Sequence, residues 1–298
     1  MAYIVDVAFS PVNELMMSLY TYLCKKSHKR IDLGALWVKN VEKTLSPEFK
    51  GSVLEEDIWM PIHLLACQKQ DMDVLSFIQW LERLTPGDIY ESLAPWVDTV
   101  PSNLGEIKQT MVHVLSEWNE QYFNNFDIGI IDELKKEAEH QRSLLEKADP
   151  IEFGKQLTNG IIFKPIDGLK KILFIPQYHS QPSHYMFHYG GITICAYSPY
   201  ISNAEPGEPS LELLLMTKAL SDKSRLKIIK YLAGSQSSFI EVVRHMGLAR
   251  STVHDHLIIL RAAGLIEVEI AGESLGTYRF RKEAASMLFN KLESYIYQ

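Results

Sequence analysis

The chain has 298 residues, of which 46% are hydrophobic and 22% charged, values typical of a globular protein with two domains. No apolar run approaches the ~20 residues of a membrane-spanning helix, and the N-terminus lacks a basic segment followed by an apolar one, so we expect neither a membrane partner nor a signal peptide. The three cysteines form no CxxC pair and no disulfide framework, which predicts a cytoplasmic protein.

Charge is unevenly distributed along the chain. The formal net charge is −7, yet residues 210–298 hold twelve Lys and Arg against nine Asp and Glu. The acidic excess therefore lies entirely before residue 210, where it repels polyanions. Only the C-terminal part suits contact with phosphates.

The first 148 residues are predicted to be one strand followed by helices. Residues 3–9 form the strand, and Ser10-Pro11 is typical of a helix N-terminus. Asp71 is the predicted cap of a helix with apolar positions Val74, Leu75, Ile78, Leu81 and Leu84, and Thr85-Pro86 opens the next.

Two long helices follow in the predicted order. The first has an apolar stripe at 3–4 spacing, formed by Leu104, Ile107, Met111, Val114, Trp118 and Tyr122. The second, residues 132–147, is rich in charge and is predicted to be a solvated outer helix.

After Asp149-Pro150 the pattern changes to short strands, at residues 161–163, 171–175 and 185–197. Gly190-Gly191 predicts a two-residue hairpin turn, which sets Tyr189 opposite Ile192 and Phe187 opposite Ile194. The predicted core face carries Tyr185, Phe187, Tyr189, Ile192, Ile194 and Ala196. The other face carries His184, Met186, His188, Thr193, Cys195 and Tyr197.

This second face leaves a ligand site open, since His184, Met186, His188 and Cys195 share it and His179 is near in sequence. His184 and His188 lie ~13 Å apart on a straight strand, so one metal could join them only through a bend. We therefore predict no metal site. His63 and His113 are expected to be hydrogen-bonded core residues.

Local signatures of enzymes are missing, including GxGxxG, GxxxxGK[ST], HExxH and GxSxG. We predict no catalytic residues, no cofactor and no enzymatic activity. Because distant residues can assemble a site without a local motif, an enzyme or small-molecule-binding protein is kept as the alternative.

A proline-rich, non-periodic stretch at residues 199–210 predicts a linker between domains 1–203 and 210–298. Beyond it, helices are predicted at 211–220 and 221–232, with a shorter one at 239–246. Gly247 lies in a tight turn before a longer helix with Val253, Leu257 and Leu260 buried. Two helices joined this way form a helix-turn-helix, whose second helix enters the major groove of DNA.

The chain then predicts a strand at 265–270, a loop at 272–276, a returning strand at 277–281 and an amphipathic last helix. This order resembles the ArsR family of bacterial winged-helix repressors over about residues 211–297. ALSDKSRLKIIKYLAG is similar to the family's opening, LARSTVHDHLIILRAAGLIEVE to its DNA-reading segment, and GTYRF to its last wing strand.

The predicted fold class is α+β, with a mostly helical N-terminal domain that has a small β-sheet and a C-terminal winged helix-turn-helix domain. The resemblance implies a homodimer formed through the first and last helices of the second domain. The apolar residues that suit this dimer are Leu211, Leu213, Leu214, Leu215, Leu288, Leu292 and Ile296. Its partner would be double-stranded DNA with a palindromic operator.

Helical geometry and the resemblance together select the DNA-binding candidates. On the recognition helix, the face opposite the buried stripe carries Ser251, Asp255, Ile258 and Ala262. The predicted DNA-binding residues are Arg250, Ser251, Thr252, His254, Asp255, Arg225, Arg279 and Arg281.

Three departures from the family matter. Ala249 replaces a serine at the recognition-helix N-cap, at a cost of ~1 kcal/mol. Asp255 stands where a neutral or basic residue is usual, and residues 237–245 lack the paired cysteines of metal-sensing members. We therefore expect a transcriptional regulator, acting as a repressor, whose unknown small-molecule effector binds the N-terminal domain.

Overall fold

The secondary structure of the computed structural model is described for residues 3–26, 28–50, 56–70, 72–201, 207–272 and 274–297. Its elements in chain order are β1 (Ile4–Val7), α1 (Pro11–Leu23), α2 (Gly34–Thr44), α3 (Pro47–Lys50), α4 (Glu56–Gln68), α5 (Val74–Arg83), α6 (Pro86–Leu93), α7 (Leu104–Gln121), α8 (Ile128–Leu145), α9 (Pro150–Leu157), β2 (Ile161–Phe163), β3 (Lys171–Pro176), β4 (Tyr185–Tyr189), β5 (Ile192–Tyr197), α10 (Leu211–Leu220), α11 (Lys223–Gly234), β6 (Ser237–Ser238), α12 (Phe239–Met246), α13 (Arg250–Ala262), β7 (Ile266–Ala271), β8 (Ser274–Phe280) and α14 (Ala284–Tyr297).

These elements divide into two units. The sheet unit comprises residues 4–146 and 168–199, and the winged unit comprises Tyr3, residues 147–167 and the described part of 200–298. The mixture of helices with small sheets confirms the predicted α+β class. Among the described residues, no helix combines the length and the apolar character that crossing a bilayer requires.

A four-stranded sheet in the order β1-β3-β5-β4 forms the centre of the sheet unit. β1, β3 and β5 run parallel, and β4 returns antiparallel along β5 through the turn at Gly190-Gly191. The predicted hairpin register is confirmed, because Tyr189 pairs with Ile192 and Phe187 with Ile194. Gly191 adopts a φ of 83°, which a glycine accepts without strain.

Helices cover both faces of this sheet. Leu173, Ile175 and Ile194 belong to the core that α1, α4, α5 and α7 share. Phe174 and Tyr197 point to the opposite face, where Tyr197 Oη donates to Glu137 of α8 over 3.4 Å. On β5 the second hairpin face is therefore buried as well, and Cys195 has no solvent exposure, whereas His184, Met186 and His188 are half-buried.

Caps in the sequence locate most helix starts in the sheet unit. The backbone N–H of Ser10 donates to Asn13 Oδ1 over 2.9 Å, one turn into α1. Thr85 caps α6, accepting from the Asp88 N–H over 3.1 Å. α5 is capped by Asp73, which accepts from the Ser76 N–H; Asp71 lies outside the described residues.

The predicted apolar faces agree with the structure in α7 and only partly elsewhere. Five of the six predicted positions of α7, from Leu104 to Trp118, are buried. In α5, Leu75 is 62% exposed and Phe77 takes its place in the core. α8 is exposed on its outer side as predicted, but Leu134 and Ala138 are buried on its other side.

The winged unit has a second sheet in the order β2-β7-β8-β6. β7 and β8 form the antiparallel wing, with α10 to α14 around it in the order that the sequence predicts. β2 pairs in parallel with β7, Ile161 lying opposite Val268. This strand closes the edge of the wing.

The division of the chain therefore differs from a single boundary near residue 203. Residues 147–167 group with the winged unit, because β2 makes its backbone hydrogen bonds with β7, more than a hundred residues later. The chain consequently passes between the units at four places rather than one.

Candidate nucleic-acid interface

The turn between α12 and α13 has the geometry of a helix-turn-helix. α12 starts with a capping box, in which Ser238 N–H donates to Glu241 Oε2 over 2.7 Å and Glu241 N–H donates to Ser238 Oγ over 3.4 Å. It ends at Gly247, whose φ of 63° is left-handed. α13 then begins at Arg250, and its N-cap residue Ala249 offers no side-chain acceptor.

The two sides of α13 differ sharply in exposure. Val253, Leu257 and Leu260 are buried as predicted, with at most 2% of each exposed. The five predicted DNA-binding residues of this helix are all exposed: Arg250, Ser251, Thr252, His254 and Asp255. Ala262, predicted on the exposed face, is instead buried, and its carbonyl oxygen accepts a hydrogen bond from Tyr200 Oη over 3.0 Å.

The other three predicted arginines are bonded within the winged unit. Arg225 donates through Nε to the carbonyl of Ala219 over 2.6 Å, and so caps the end of α10. Arg279 donates to Glu267, and Arg281 to Asn159. Their guanidinium groups are thus partly engaged before any DNA approaches.

Glu267 is the centre of a buried ion cluster between α9 and the wing. Its carboxylate is 4% exposed and accepts from Arg279, and the ammonium of Lys155 lies 3.0 Å from it. Lys155 belongs to α9, so this cluster attaches residues 147–167 to the wing by charge as well as by strand pairing.

Asn159 and Tyr200 attach the same segment to the end of the recognition helix. Both adopt positive φ, 56° and 57°, which is rare for residues with a side chain. Asn159 Nδ2 donates to Tyr200 Oη over 3.4 Å, and Tyr200 Oη donates to the carbonyl of Ala262. Backbone strain of this kind persists only where surrounding contacts hold it.

Sequence reasoning missed a basic groove on the winged unit. Lys227, Lys230 and His245 line a surface cavity of about 610 Å³ between α11 and α12. The Tyr231 and His245 rings stack in it, with centroids 3.8 Å apart. The available signal was the pair of lysines three residues apart, which places both on one side of α11.

The two histidines of the hairpin have separate hydrogen-bond partners. His184 Nδ1 accepts the Ser198 N–H over 3.0 Å, and His188 Nδ1 lies 3.1 Å from Thr193 Oγ1. Across the described residues, no three His, Cys, Asp or Glu side chains come together as metal ligands.

Of the two predicted core histidines, one is in the core. His63 is 4% exposed, its Nδ1 lies 3.0 Å from Tyr189 Oη, and burial lowers its pKa to about 3. His113 is exposed, so the prediction is wrong there. His113 lies between Met111 and Val114 in the sequence, but it is on the solvent-facing side of α7, whereas those two residues face the core.

His179 lies in a chain of buried polar groups in the sheet unit. Its Nδ1 is 2.5 Å from the Glu14 carboxylate, and its Nε2 is 2.7 Å from Tyr122 Oη. Trp37 Nε1 donates to the same Tyr122 oxygen over 2.8 Å. Each polar atom has a partner, and burial raises the pKa of Tyr122, so this chain suits rigidity rather than proton transfer.

Comparison with known proteins supports the assignment of the C-terminal region. Residues 222–268 match the family model described as bacterial regulatory protein, arsR family. No curated protein matches the chain.

Similar solved structures include an ArsR-like transcriptional regulator from Rhodococcus sp. RHA1, at 28% identity over 28% of this chain and 77% of that one, with a TM-score of 0.26. A possible transcriptional regulatory protein from Mycobacterium bovis is 24% identical over 29% and 92%, with a TM-score of 0.24. A homodimeric winged helix-turn-helix DNA-binding domain from Mycobacterium bovis is 25% identical over 28% and 76%, with a TM-score of 0.24. Residues 222–268 are an ArsR-family helix-turn-helix, preceded by a large extra N-terminal region.

Proposed function

We propose that the protein is a homodimeric, sequence-specific transcriptional regulator of the ArsR type, which represses from a palindromic operator under the control of a small-molecule effector. The observation that carries this proposal is the solvent-exposed first turn of α13 within an ArsR-family helix-turn-helix. A helix presented in this way enters the major groove with its N-terminal residues against base edges.

The exposed side chains of α13 provide the chemistry for reading bases. Arg250 can donate two parallel hydrogen bonds to a guanine, and Ser251, Thr252 and His254 can donate to bases or phosphates. An ionised Asp255 can accept hydrogen bonds but cannot donate them, which favours a cytosine amine and repels phosphates.

Contacts to the phosphate backbone fall to basic residues that are not bonded internally. Lys227 and Lys230 are exposed and have no hydrogen bond or ion pair in the part of the chain that the structure describes. Arg225, Arg279 and Arg281 can contact phosphates only through the guanidinium N–H groups that their hydrogen bonds within the unit do not use.

The dimer is supported by an apolar stripe on α14. Phe289, Leu292 and Ile296 lie three and four residues apart and are 63%, 39% and 60% exposed. Leu214 of α10 is 49% exposed, whereas Leu211 and Leu213, also expected at the interface, are buried inside the unit. Exposed apolar stripes of this kind mark interaction surfaces.

The proposal is tested by titrating the full chain against DNA from its own upstream region over a series of salt concentrations. Wild-type protein should bind tightly and lose affinity as salt rises. Binding that is absent at low salt, or indifferent to salt, would contradict the proposal.

A pair of arginine variants separates DNA contact from internal structure. Arg250→Gln should lower the affinity for the upstream DNA by about 1–3 kcal/mol and reduce discrimination against unrelated DNA. Arg279→Gln should alter protein stability more than discrimination, because its partner is Glu267. If both variants lost discrimination between upstream and unrelated DNA equally, the proposal that α13 reads the DNA sequence would be contradicted.

A further inference from the structure

The sheet unit contains a cavity that is separate from the DNA-binding surface. It is an open cleft at the surface, with a volume of about 430 Å³, lined by Phe9, Gln68, Gln70, Lys135, Ala138, Glu139 and Arg142. The charged side chains of Lys135, Glu139 and Arg142 are exposed there. Cavities of about 300–1,000 Å³ are the usual size for small-molecule sites. All seven residues belong to the sheet unit.

The cavity lies at one edge of the sheet. Phe9 follows β1, so the cavity is beyond the carboxyl end of that parallel strand, which is the edge strand of the sheet. Gln68 ends α4 and Gln70 follows it, on one face of the sheet, and Lys135 to Arg142 belong to α8, on the other. Residues from both faces of the sheet therefore line the cavity.

The charges in the cavity are held partly by the backbone. Arg142 donates to the carbonyl of Val7 through Nε over 2.9 Å and through Nη2 over 2.5 Å, which fixes the guanidinium at the end of β1. In the described part of the chain, Nη1 has no partner. Lys135 and Glu139 likewise form no ion pair there, although they lie one turn apart on α8.

The two cations, Lys135 and Arg142, and the carboxylate of Glu139 match a ligand that carries both a carboxylate and an ammonium group. A carboxylate accepts charge-assisted hydrogen bonds from Lys135 and Arg142, since a guanidinium and an ammonium are its strongest partners. An ammonium group on the same small molecule is matched by Glu139. Phe9 and Ala138 provide apolar contact for the carbon atoms between the carboxylate and the ammonium group of this ligand.

We propose that this cavity binds a small amino carboxylate, such as a free amino acid, and that this ligand is the effector. The role as effector rests on the proposed function, whereas binding itself is measured without DNA. A failure of ligand binding and a failure of DNA binding are therefore distinguishable.

The test is calorimetric titration of the full chain with each of the proteinogenic amino acids, preceded by a thermal-shift screen of the same set. At least one amino acid should bind and raise the melting temperature. Lys135→Gln should weaken that binding by about tenfold, the value of one charge-assisted hydrogen bond. Lys136→Gln is the matched control, because Lys136 is exposed on the same helix and does not line the cavity.

A second variant tests the ligand class. Glu139→Gln should weaken binding of the amino acid and leave binding of the corresponding carboxylate without its amine unchanged. The proposal is overturned if no amino acid binds, if Lys135→Gln and Lys136→Gln bind equally well, or if the bound amino acid leaves the affinity for upstream DNA unchanged. Circular dichroism of each variant confirms that it is folded.

Discussion

At the scale of single residues, the exposure of a side chain determines its role. Neighbouring positions on one helix can differ in exposure, because they lie on different sides of the helix. His63 and His113 both lie in apolar helical stretches, yet His63 packs against Phe187 with ring centroids 4.3 Å apart and His113 faces solvent. Arg250 and Arg279 are both predicted DNA contacts, yet among the described residues Arg279 donates to a carboxylate of its own unit and Arg250 does not.

The buried His63 predicts a particular dependence of stability on pH. Burial holds its pKa near 3 in the folded protein, against 6.5 for the free side chain. Below pH 6.5, His63 therefore becomes protonated in the unfolded chain but stays neutral in the folded chain. The free energy of unfolding consequently falls as pH falls. Between pH 7.5 and 5.0 this group should remove about 2 kcal/mol of the free energy of unfolding.

Urea unfolding at the two pH values checks this contribution. His63→Gln should lose that part of the pH dependence, whatever its stability at pH 7.5. His113→Gln, at an exposed position on another helix, should keep the wild-type dependence. An unchanged dependence in His63→Gln would show that folding does not lower the pKa of His63.

The missing cap of α13 predicts a stabilising substitution. Ala249 has the extended backbone of an N-cap, with ψ of 144°, and no side-chain oxygen. Ala249→Thr should raise the free energy of unfolding by about 1 kcal/mol, because its hydroxyl accepts a free N–H of the first turn. Ala249→Val has the same shape without the oxygen, so a gain of equal size in both would rule out capping.

At the scale of elements, β2 and α9 extend the winged unit beyond residues 211–297, the stretch whose sequence resembles the family. They add a parallel strand at the edge of β7 and a lysine to Glu267. A paired edge is protected from contact with other chains. Displacement of this segment would also disturb the carbonyl of Ala262, at the end of the recognition helix.

Two glutamates of β7, two residues apart in the sequence, test the strength of this attachment. Glu267→Gln should lower the free energy of unfolding by about 2 kcal/mol, somewhat less than a fully buried pair, because Lys155 and Arg279 keep some exposure. Glu269→Gln removes the more exposed pair with Lys164 and should cost less than about 1 kcal/mol. Chemical denaturation followed by circular dichroism gives both values, and equal costs would contradict a buried cluster.

At the scale of the whole molecule, the exposed stripe of α14 predicts the oligomeric state. Phe289→Asp should convert a dimer of 34.1 kDa chains into monomers, because a charge at the centre of an apolar interface stays unpaired. Ile240→Asp is the control, since Ile240 is 55% exposed on α12, outside this stripe. Sedimentation equilibrium measures the masses; a wild-type monomer, or a dimer that survives Phe289→Asp, would refute the interface.

Local features of the sequence determined much of the architecture. The stripe from Leu104 to Trp118, the caps at Thr85 and Ser238, and the turn at Gly190-Gly191 are short-range patterns, and each specifies its element without help from distant residues. The order of elements after residue 210 was sufficient to identify the helix-turn-helix and its exposed face.

Only the tertiary structure decided which strands distant in sequence pair, which faces are covered and which charges are already bonded. The pairing of β2 with β7 joins segments about a hundred residues apart, and such contacts leave no periodicity in either segment. The second sheet face is buried because α8 folds back on it, and Arg225, Arg279 and Arg281 are engaged because partners from elsewhere reach them. A sequence specifies local conformation through short-range sterics and hydrogen bonds, whereas burial and ion pairing depend on which distant surfaces the folded chain brings together.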